Sequence, residues 1–266
     1  MIICNNNVER INFWDDDSIF VLTDFDRTLT SGNSWGSWEI IVNNAKVSQE
    51  YKREVYELFN YYRPIEIDEN IDKNLREQYM IDWWNEEIKL FKKYKFDENM
   101  INDSLNNLNV MSFRDGVKDF LINMYNRNIP VIIISAGIGN FIEKFLKENN
   151  CYFNNVFLIS NFLKFDDGKL VGFSDNIIHS FNKNLVNLPD KVKNSIKYRN
   201  NVILLGDSLS DINMAYGINK ENIFSIGFLE ENINNNLDYF KNTFDVVATE
   251  NSSITELNNK IKILKR

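Results

Sequence analysis

The stretch Phe20-Val-Leu-Thr-Asp24-Phe-Asp26-Arg-Thr28-Leu-Thr30 constrains this chain more than any other. An apolar, β-rich run ends abruptly in two aspartates spaced i, i+2, followed by a hydroxyl residue. Strands buried on both faces of a parallel sheet read as continuous apolar runs, and ligands of open α/β sheets bind beyond the strands' carboxyl ends. Asp24 and Asp26 therefore emerge where a site would be built. With the period of two of an extended backbone, both carboxylates face one side. Crowded carboxylates repel unless a cation holds them or one keeps a proton. One aspartate at a strand end is an ordinary helix cap; two of them followed by a hydroxyl point to chemistry.

From about residue 33 to 109 the strand signal all but disappears and apolar residues recur at helical spacing. Ile40, Ile41, Ala45 and Val47 suggest one helix, and Tyr51, Val55, Leu58, Phe59 and Tyr62 a second. Tyr79, Trp83, Trp84, Ile88 and Phe91 suggest a third, with Met100, Ile101, Leu105 and Leu108 closing the set. Pro64 should break the second helix, leaving 65–67 as a short extended link. A helical block inserted after the first strand can sit over the site as a cap. The expected organisation is a core of residues 1–32 and 111–266 with a helical cap of 33–110.

After the insert, strands alternate with helices. Helix is expected over 115–126, strand over 131–134, helix over 141–148 and strand over 156–159. A hairpin follows, with strands at 162–165 and 169–173 around Asp166-Asp-Gly168. Strands at 202–205, 223–226 and 246–248 complete the set, with a helix running through Met214 after the first of them. This rhythm implies parallel βαβ units with right-handed crossovers. The Asn-rich stretches 5–7 and 232–236 read as surface or loop. Two strand ends join the first. Ser135, followed by Ala136 and Gly137, offers a hydroxyl and close backbone approach, which suits a phosphate. Asp207 and Asp211 follow 202–205 in the pattern G-D-S-x-x-D, and one such acid can complete an oxygen-ligand Mg²⁺ site with Asp24.

Composition removes several function classes. Thirty basic against 38 acidic residues give a net charge of −8, which disfavours nucleic-acid polymers and anionic membranes. Cys4 and Cys151 are the only cysteines and His179 the only histidine, so disulfide frameworks, cysteine zinc sites and multi-histidine zinc sites lack their ligands. His179 is expected to be structural, beside Lys183. The N-terminus carries neither a basic region nor a long apolar core, so a cytoplasmic chain without signal peptide is expected, and a monomer by default.

Asp-x-Asp, then Ser135, then Lys183, then Gly-Asp207-x-x-x-Asp211, in that order, resembles the haloacid dehalogenase superfamily of phosphohydrolases. Further stretches narrow the likeness: Tyr61-Tyr-x-x-Ile-Glu66-Ile-Asp68, Met80-Ile-Asp-Trp83, Pro130-Val-Ile-Ile-Ile-Ser135-Ala-Gly-Ile-Gly139, Ser160-Asn-Phe, the hairpin tip, Ile178-His-Ser-Phe-Asn-Lys183 and Leu204-Leu-Gly-Asp-Ser208. Together they resemble the pyrimidine 5′-nucleotidases, also called cytosolic 5′-nucleotidase III, over nearly the whole chain.

The resemblance implies an α/β Rossmann-like core of parallel sheet with helices on both faces and a helical cap after the first strand. It also implies a Mg²⁺-dependent phosphomonoesterase acting on nucleoside 5′-monophosphates, pyrimidine or 7-methyl-GMP, through an aspartyl-phosphate. Asp24 would be the nucleophile and Asp26 the acid, then base. Ser135, Ala136, Thr28 and Lys183 would hold the phosphate. Mg²⁺ would be bound by Asp24, the Asp26 carbonyl and Asp207, with Asp211 behind them. Glu66 matches the family glutamate that contacts base or sugar, and Trp35, Trp38, Trp83 and Trp84 could stack on a base. The chain departs from the family at 31–38, where eukaryotic members carry a cysteine-containing segment, and at Glu87, which stands in place of a family serine near the base. The alternatives are a phosphatase for another small ester, a nucleoside phosphotransferase, or a silent phosphometabolite binder.

Overall fold

The computed structural model describes residues 1–4, 8–68, 70–106, 108–174 and 176–261. In chain order they form β1 (Ile2–Cys4), β2 (Ile19–Thr23), α1 (Ser37–Val42), α2 (Gln49–Ile67), α3 (Lys73–Lys93), α4 (Glu98–Leu105), α5 (Val117–Asn126) and β3 (Val131–Ile138). Then come α6 (Gly139–Glu148), β4 (Val156–Asn161), β5 (Leu163–Asp166), β6 (Lys169–Phe173), α7 (Asp190–Ile196) and β7 (Asn201–Gly206). The chain closes with β8 (Ile223–Leu229), α8 (Ile233–Thr243), β9 (Val246–Thr249) and α9 (Ile254–Ile261).

Seven strands make one sheet in the order β1-β9-β8-β7-β2-β3-β4, parallel except for β1, which runs antiparallel to β9 at the edge. Along the apolar strands alternate residues divide between two cores. Val21, Val131, Ile133, Ile203 and Leu205 pack on one face, while Phe20, Leu22, Ile132, Ile134, Val202 and Leu204 pack on the other. That two-sided burial is why these strands carry no polar alternation. β2 lies between β3 and β7, and the chain leaves it in both directions across the sheet. The crevice at such a switch point, beyond the carboxyl ends, is where α/β folds bind ligands.

Helices α1 to α4 all fall between β2 and β3 in sequence. Their starts are written in the chain: the Ser48 hydroxyl accepts from the Tyr51 N–H, and the carboxylates of Asp72 and Asp97 accept from Leu75 and Met100. The β5–β6 hairpin props this segment up. Gly168 at its tip accepts from the Glu98 N–H, Leu170 donates to the Phe96 carbonyl, and Phe173 meets Trp84 edge-on at 5.1 Å.

One expectation changes and two are refined. Pro64 does not end its helix: α2 continues through it to Ile67, so 65–67 is helical rather than an extended link. The donor that proline lacks would have met the Asn60 carbonyl, and both residues face solvent, where water replaces the bond. Residues 233–236 are the largely exposed first turn of α8 rather than loop, whereas residues 5–7 lie outside the described residues. The turn after β7 is a 3-10 helix, Leu209–Ala215. Among the described residues no helix is long and apolar enough to cross a membrane.

Candidate active site

Asp24 is the first residue beyond β2, and its N–H donates to the Leu205 carbonyl of β7, so the chain stays in register as it leaves the sheet. Its carboxylate is buried and accepts from the Lys183 ammonium at 2.7 Å. The same ammonium reaches Asp211 at 3.3 Å. Asp211 is fixed in turn: its second oxygen accepts from the N–H groups of Asp207 (3.1 Å) and Ser208 (3.0 Å). Gly206 makes that fold-back possible, because a Cβ there would lie 2.4 Å from the Asp211 Cβ. Oxygens of Asp24, Asp207 and Asp211 all fall within 4.8 Å of one another.

Three carboxylates and one ammonium leave the cluster short of positive charge. Burial pushes the Asp24 carboxyl up to about 7, against the pull of Lys183. Burial, with the charges of Asp24 and Asp211, lifts Asp207 well above the carboxylate range. Burial disfavours the Lys183 ammonium, but Asp211 and Asp24 outweigh it and raise its pKa. A buried, all-oxygen donor set with excess negative charge can coordinate a divalent cation.

Asp26 sits on the turn beyond. One oxygen accepts from the Ser37 N–H at 3.1 Å and the other from the Ser37 hydroxyl at 2.9 Å. Burial raises its pKa, and these two bonds oppose the rise. The Ser37 hydroxyl also accepts from the Ile138 N–H at 3.0 Å, tying α1 to the end of β3. There, pairing with β4 is interrupted between Ile134 and Ile138. The Gly137 N–H bends back to the Ser135 hydroxyl at 3.0 Å. A Cβ on Gly137 would sit 2.0 Å from the Ser37 hydroxyl and 2.8 Å from Asp26, so this crossing admits only glycine. Thr28 is fully buried and its hydroxyl has no partner.

Two residues to which the sequence assigned no role hold these loops together, Asn161 of the Ser160-Asn-Phe stretch and Arg114. Asn161, at the end of β4, donates to the carbonyls of Ala136 (2.8 Å) and Ile178 (2.9 Å) and accepts from the Ile178 N–H, joining the Ser135 loop to the Lys183 loop. Arg114 is buried and donates to the carbonyls of Arg27 (2.6 Å), Thr28 (3.0 Å) and Ser252 (3.0 Å). It pairs with Glu230 at 2.8 Å. Arg27 adopts a left-handed conformation, φ 60°, within the turn that Arg114 clamps. Ser37, the third unanticipated residue, carries no pattern of its own; only the tertiary fold brings it to Asp26.

Beside the cluster, between the inserted helices and the core, lies a cavity of about 180 Å³ lined by Trp38, Phe59, Glu66, Met80, Trp83, Trp84, Glu87, Ala136, His179 and Ser180. A larger hollow at the start of α8, lined by Glu230 and Asn232 among others, contains none of the residues above except Arg114's partner. Glu66 reaches the cavity, but its carboxylate is engaged by the Ser180 hydroxyl and by Arg63. His179 is buried, and burial lowers its pKa to about 4, against the charge of Glu66. Its Nδ1 accepts from the Phe181 N–H, so the neutral ring carries its proton on Nε2. Glu87 is 1 % exposed; the indole N–H groups of Trp83 and Trp38 lie beside its carboxyl, but neither oxygen meets a donor at hydrogen-bond geometry.

A buried lysine paired to the aspartate that ends a central strand, with a second aspartate two residues on and a hydroxyl at the neighbouring strand end, defines a phosphohydrolase of the haloacid dehalogenase superfamily. Within that class the chain belongs to the family of pyrimidine 5′-nucleotidases (UMPH-1), whose family model matches residues 22–265. It is 32% identical over 263 residues to 7-methylguanosine phosphate-specific 5′-nucleotidase B of Xenopus laevis, covering 95% of this chain and 90% of that one. It is likewise 32% identical over 254 residues to the human 7-methylguanosine phosphate-specific 5′-nucleotidase, covering 91% and 83%. The crystal structure of cytosolic 5′-nucleotidase IIIB bound to cytidine superposes with a TM-score of 0.85 at 28% identity, covering 99% of this chain and 93% of that chain. A phosphoserine phosphatase, at TM-score 0.58 and 19% identity, shares the fold.

Proposed function

We propose that the protein is a Mg²⁺-dependent phosphomonoesterase that hydrolyses nucleoside 5′-monophosphates, its base a pyrimidine or 7-methylguanine, through an aspartyl-phosphate. The observation that carries this reading is the pairing of Lys183 with Asp24 inside the acidic cluster, with Asp26 held two residues beyond. Asp24 attacks phosphorus in line, its P–O bond forming as the ester P–O bond breaks. Asp26 gives its proton to the departing ribose oxygen, then takes one from the water that cleaves the aspartyl-phosphate. Lys183 keeps positive charge at the nucleophile, where carboxylate and phosphate would otherwise repel. In this reading Ser135 and the unpartnered Thr28 hydroxyl would donate to phosphate oxygens. Asp24, Asp207 and the Asp26 carbonyl would hold Mg²⁺, with Asp211 orienting the others; bound there, the ion neutralises charge on the transferring phosphoryl group.

Residues 33–110 act as a cap in this reading, with the aromatic cavity as the base site and Glu66 fastening the cap to the Lys183 loop through Ser180. The test is phosphate release with Mg²⁺ from CMP, UMP, 7-methyl-GMP, AMP, GMP and sugar phosphates, with Asp24→Asn as the contamination control. Nucleotide turnover that vanishes in the variant supports the reading. Turnover confined to small non-nucleotide esters would overturn it.

A further inference from the structure

Most buried polar groups in a folded protein are hydrogen-bonded, and an exception calls for an explanation. Glu87, on the inner side of α3, is such an exception: it lines the cavity, its carboxyl oxygens are buried, and the indole N–H groups of Trp83 and Trp38 beside them do not reach hydrogen-bond geometry. Core packing needs no acid there, since methionine or leucine would fill the same space without the desolvation penalty.

The surroundings narrow what could satisfy it. The cavity wall contains the rings of Trp38, Phe59, Trp83 and Trp84, two carboxyl groups, Glu66 and Glu87, and no lysine or arginine. Trp38 and Phe59 stack at 6.1 Å, and Trp83 stacks on Tyr62 at 5.7 Å, so the cage is braced from outside. Among the described residues, Tyr51 of α2 lies within reach of the Glu87 charge, and Glu66 of α2 and His179 of the core loop share its cavity wall. Tyr51 feels the Glu87 charge, and its own hydroxyl is buried without a partner. Glu66 is already engaged, and His179 is neutral. Among the described residues, no charged group that would favour its ionised form acts on Glu87. Aromatic faces and carboxylates both favour a cation.

We propose that Glu87 selects the base: as a carboxylate it accepts from two adjacent N–H donors of a positively charged purine ring, of the N7-alkylated guanine type, held among the tryptophans. Burial pushes this carboxyl up to about 8, the indole N–H groups of Trp83 and Trp38 offsetting that only in part. The site therefore holds a neutral acid at pH 7. The proton leaves Glu87 for solvent as the cationic ring arrives, and the pair that forms has no net charge. A neutral pyrimidine offers one donor beside one acceptor, which a protonated carboxyl matches without ionising. Glutamine makes the two cases separable, because its amide keeps a donor and an acceptor but lacks the second acceptor oxygen and the charge of a carboxylate.

The inference rests on the nucleotidase reading, and the experiment keeps the two apart. Wild type and Glu87→Gln are compared on 7-methyl-GMP, CMP and p-nitrophenyl phosphate. The variant is expected to lose on the order of tenfold to a hundredfold in kcat/KM on 7-methyl-GMP, while CMP stays within about threefold and the base-free ester is unaffected. Equal losses on both nucleotides, or none, would overturn the proposal, as would a wild-type preference for CMP. Turnover of p-nitrophenyl phosphate alone would instead sink the nucleotidase reading. A measurement on wild type needs no variant: calorimetric titration with 7-methylguanosine at about pH 6, in two buffers of different ionisation enthalpy, should show about one proton released. Binding without proton release, or no binding, counts against Glu87.

Discussion

A buried acid couples protonation to folding, and Glu87 gives that coupling a definite sign. Its carboxyl is raised from 4.5 to about 8 in the folded chain, so between those values the folded state binds more protons than the unfolded one. The stability it contributes is fully present below about pH 4.5 and is lost as pH rises through about 8. Glu87→Gln should remove this dependence. Thermal unfolding of the two proteins should show the variant gaining on wild type from pH 5 to pH 8; a constant difference would mean the carboxyl is not buried as described. At Gly137 the argument is steric. Alanine there would push a methyl group into the Ser37 hydroxyl and Asp26, so Gly137→Ala should lower kcat on the order of tenfold or more, with KM and far-ultraviolet dichroism little changed. Asp24, Asp26, Ser135 and Asp207 stand out in the chain because they follow apolar runs at strand ends, whereas Lys183 has no pattern of its own and enters only through the family resemblance; the fold pairs it with Asp24. The roles of Ser37 and Asn161 could not be read from the chain, because a serine that begins a helix and an asparagine that ends a strand are ordinary at those places. Their roles exist only once distant segments meet.

Elements differ in how plainly the chain announces them. β2, β3 and β7 each contain an unbroken apolar run, at 19–22, 131–134 and 202–205, because both faces are covered there, and a run of that kind has few other uses. β1 is three residues long, half-buried and antiparallel at an edge, so neither length nor alternation marks it. Pro64 misled for a physical reason: proline disrupts a helix through an unpaired carbonyl, and on a solvated face water removes that penalty. The loop from Arg27 to Thr30 is the element most dependent on one distant side chain. Arg114, ahead of α5, clamps it by its backbone carbonyls and lies over the Phe228 ring at 4.0 Å. Arg114→Met would leave the Glu230 carboxylate and several carbonyls without their donor. It should destabilise the protein by about 3 kcal/mol, read as a lower urea midpoint at unchanged slope. Arg114→Lys should recover only part of that, since an ammonium cannot span the same acceptors.

At the scale of the whole molecule, the crowded carboxylates make the folded state itself respond to a divalent cation. Asp24, Asp207 and Asp211 converge from two segments far apart in sequence, and the unfolded chain has no such convergence. A cation bound there therefore stabilises only the folded form. At a concentration of one hundred times Kd the gain is about 2.7 kcal/mol, which for a chain of this size raises Tm by about 5–10 °C. Protons compete for the same oxygens, because the Asp24 carboxyl is raised to about 7 and Asp207 is raised as well. The Mg²⁺-induced rise in Tm should accordingly be small at pH 6 and grow through pH 7 to pH 8. Chelation should reverse it and abolish turnover together. In Asp207→Asn the rise should shrink at every pH, because an amide is a weaker ligand and one repelling charge is gone. A Mg²⁺ effect on Tm that is the same at pH 6 and pH 8, or that survives in Asp207→Asn, would place the cation elsewhere on this acidic surface. The cluster would then be held by Lys183 alone.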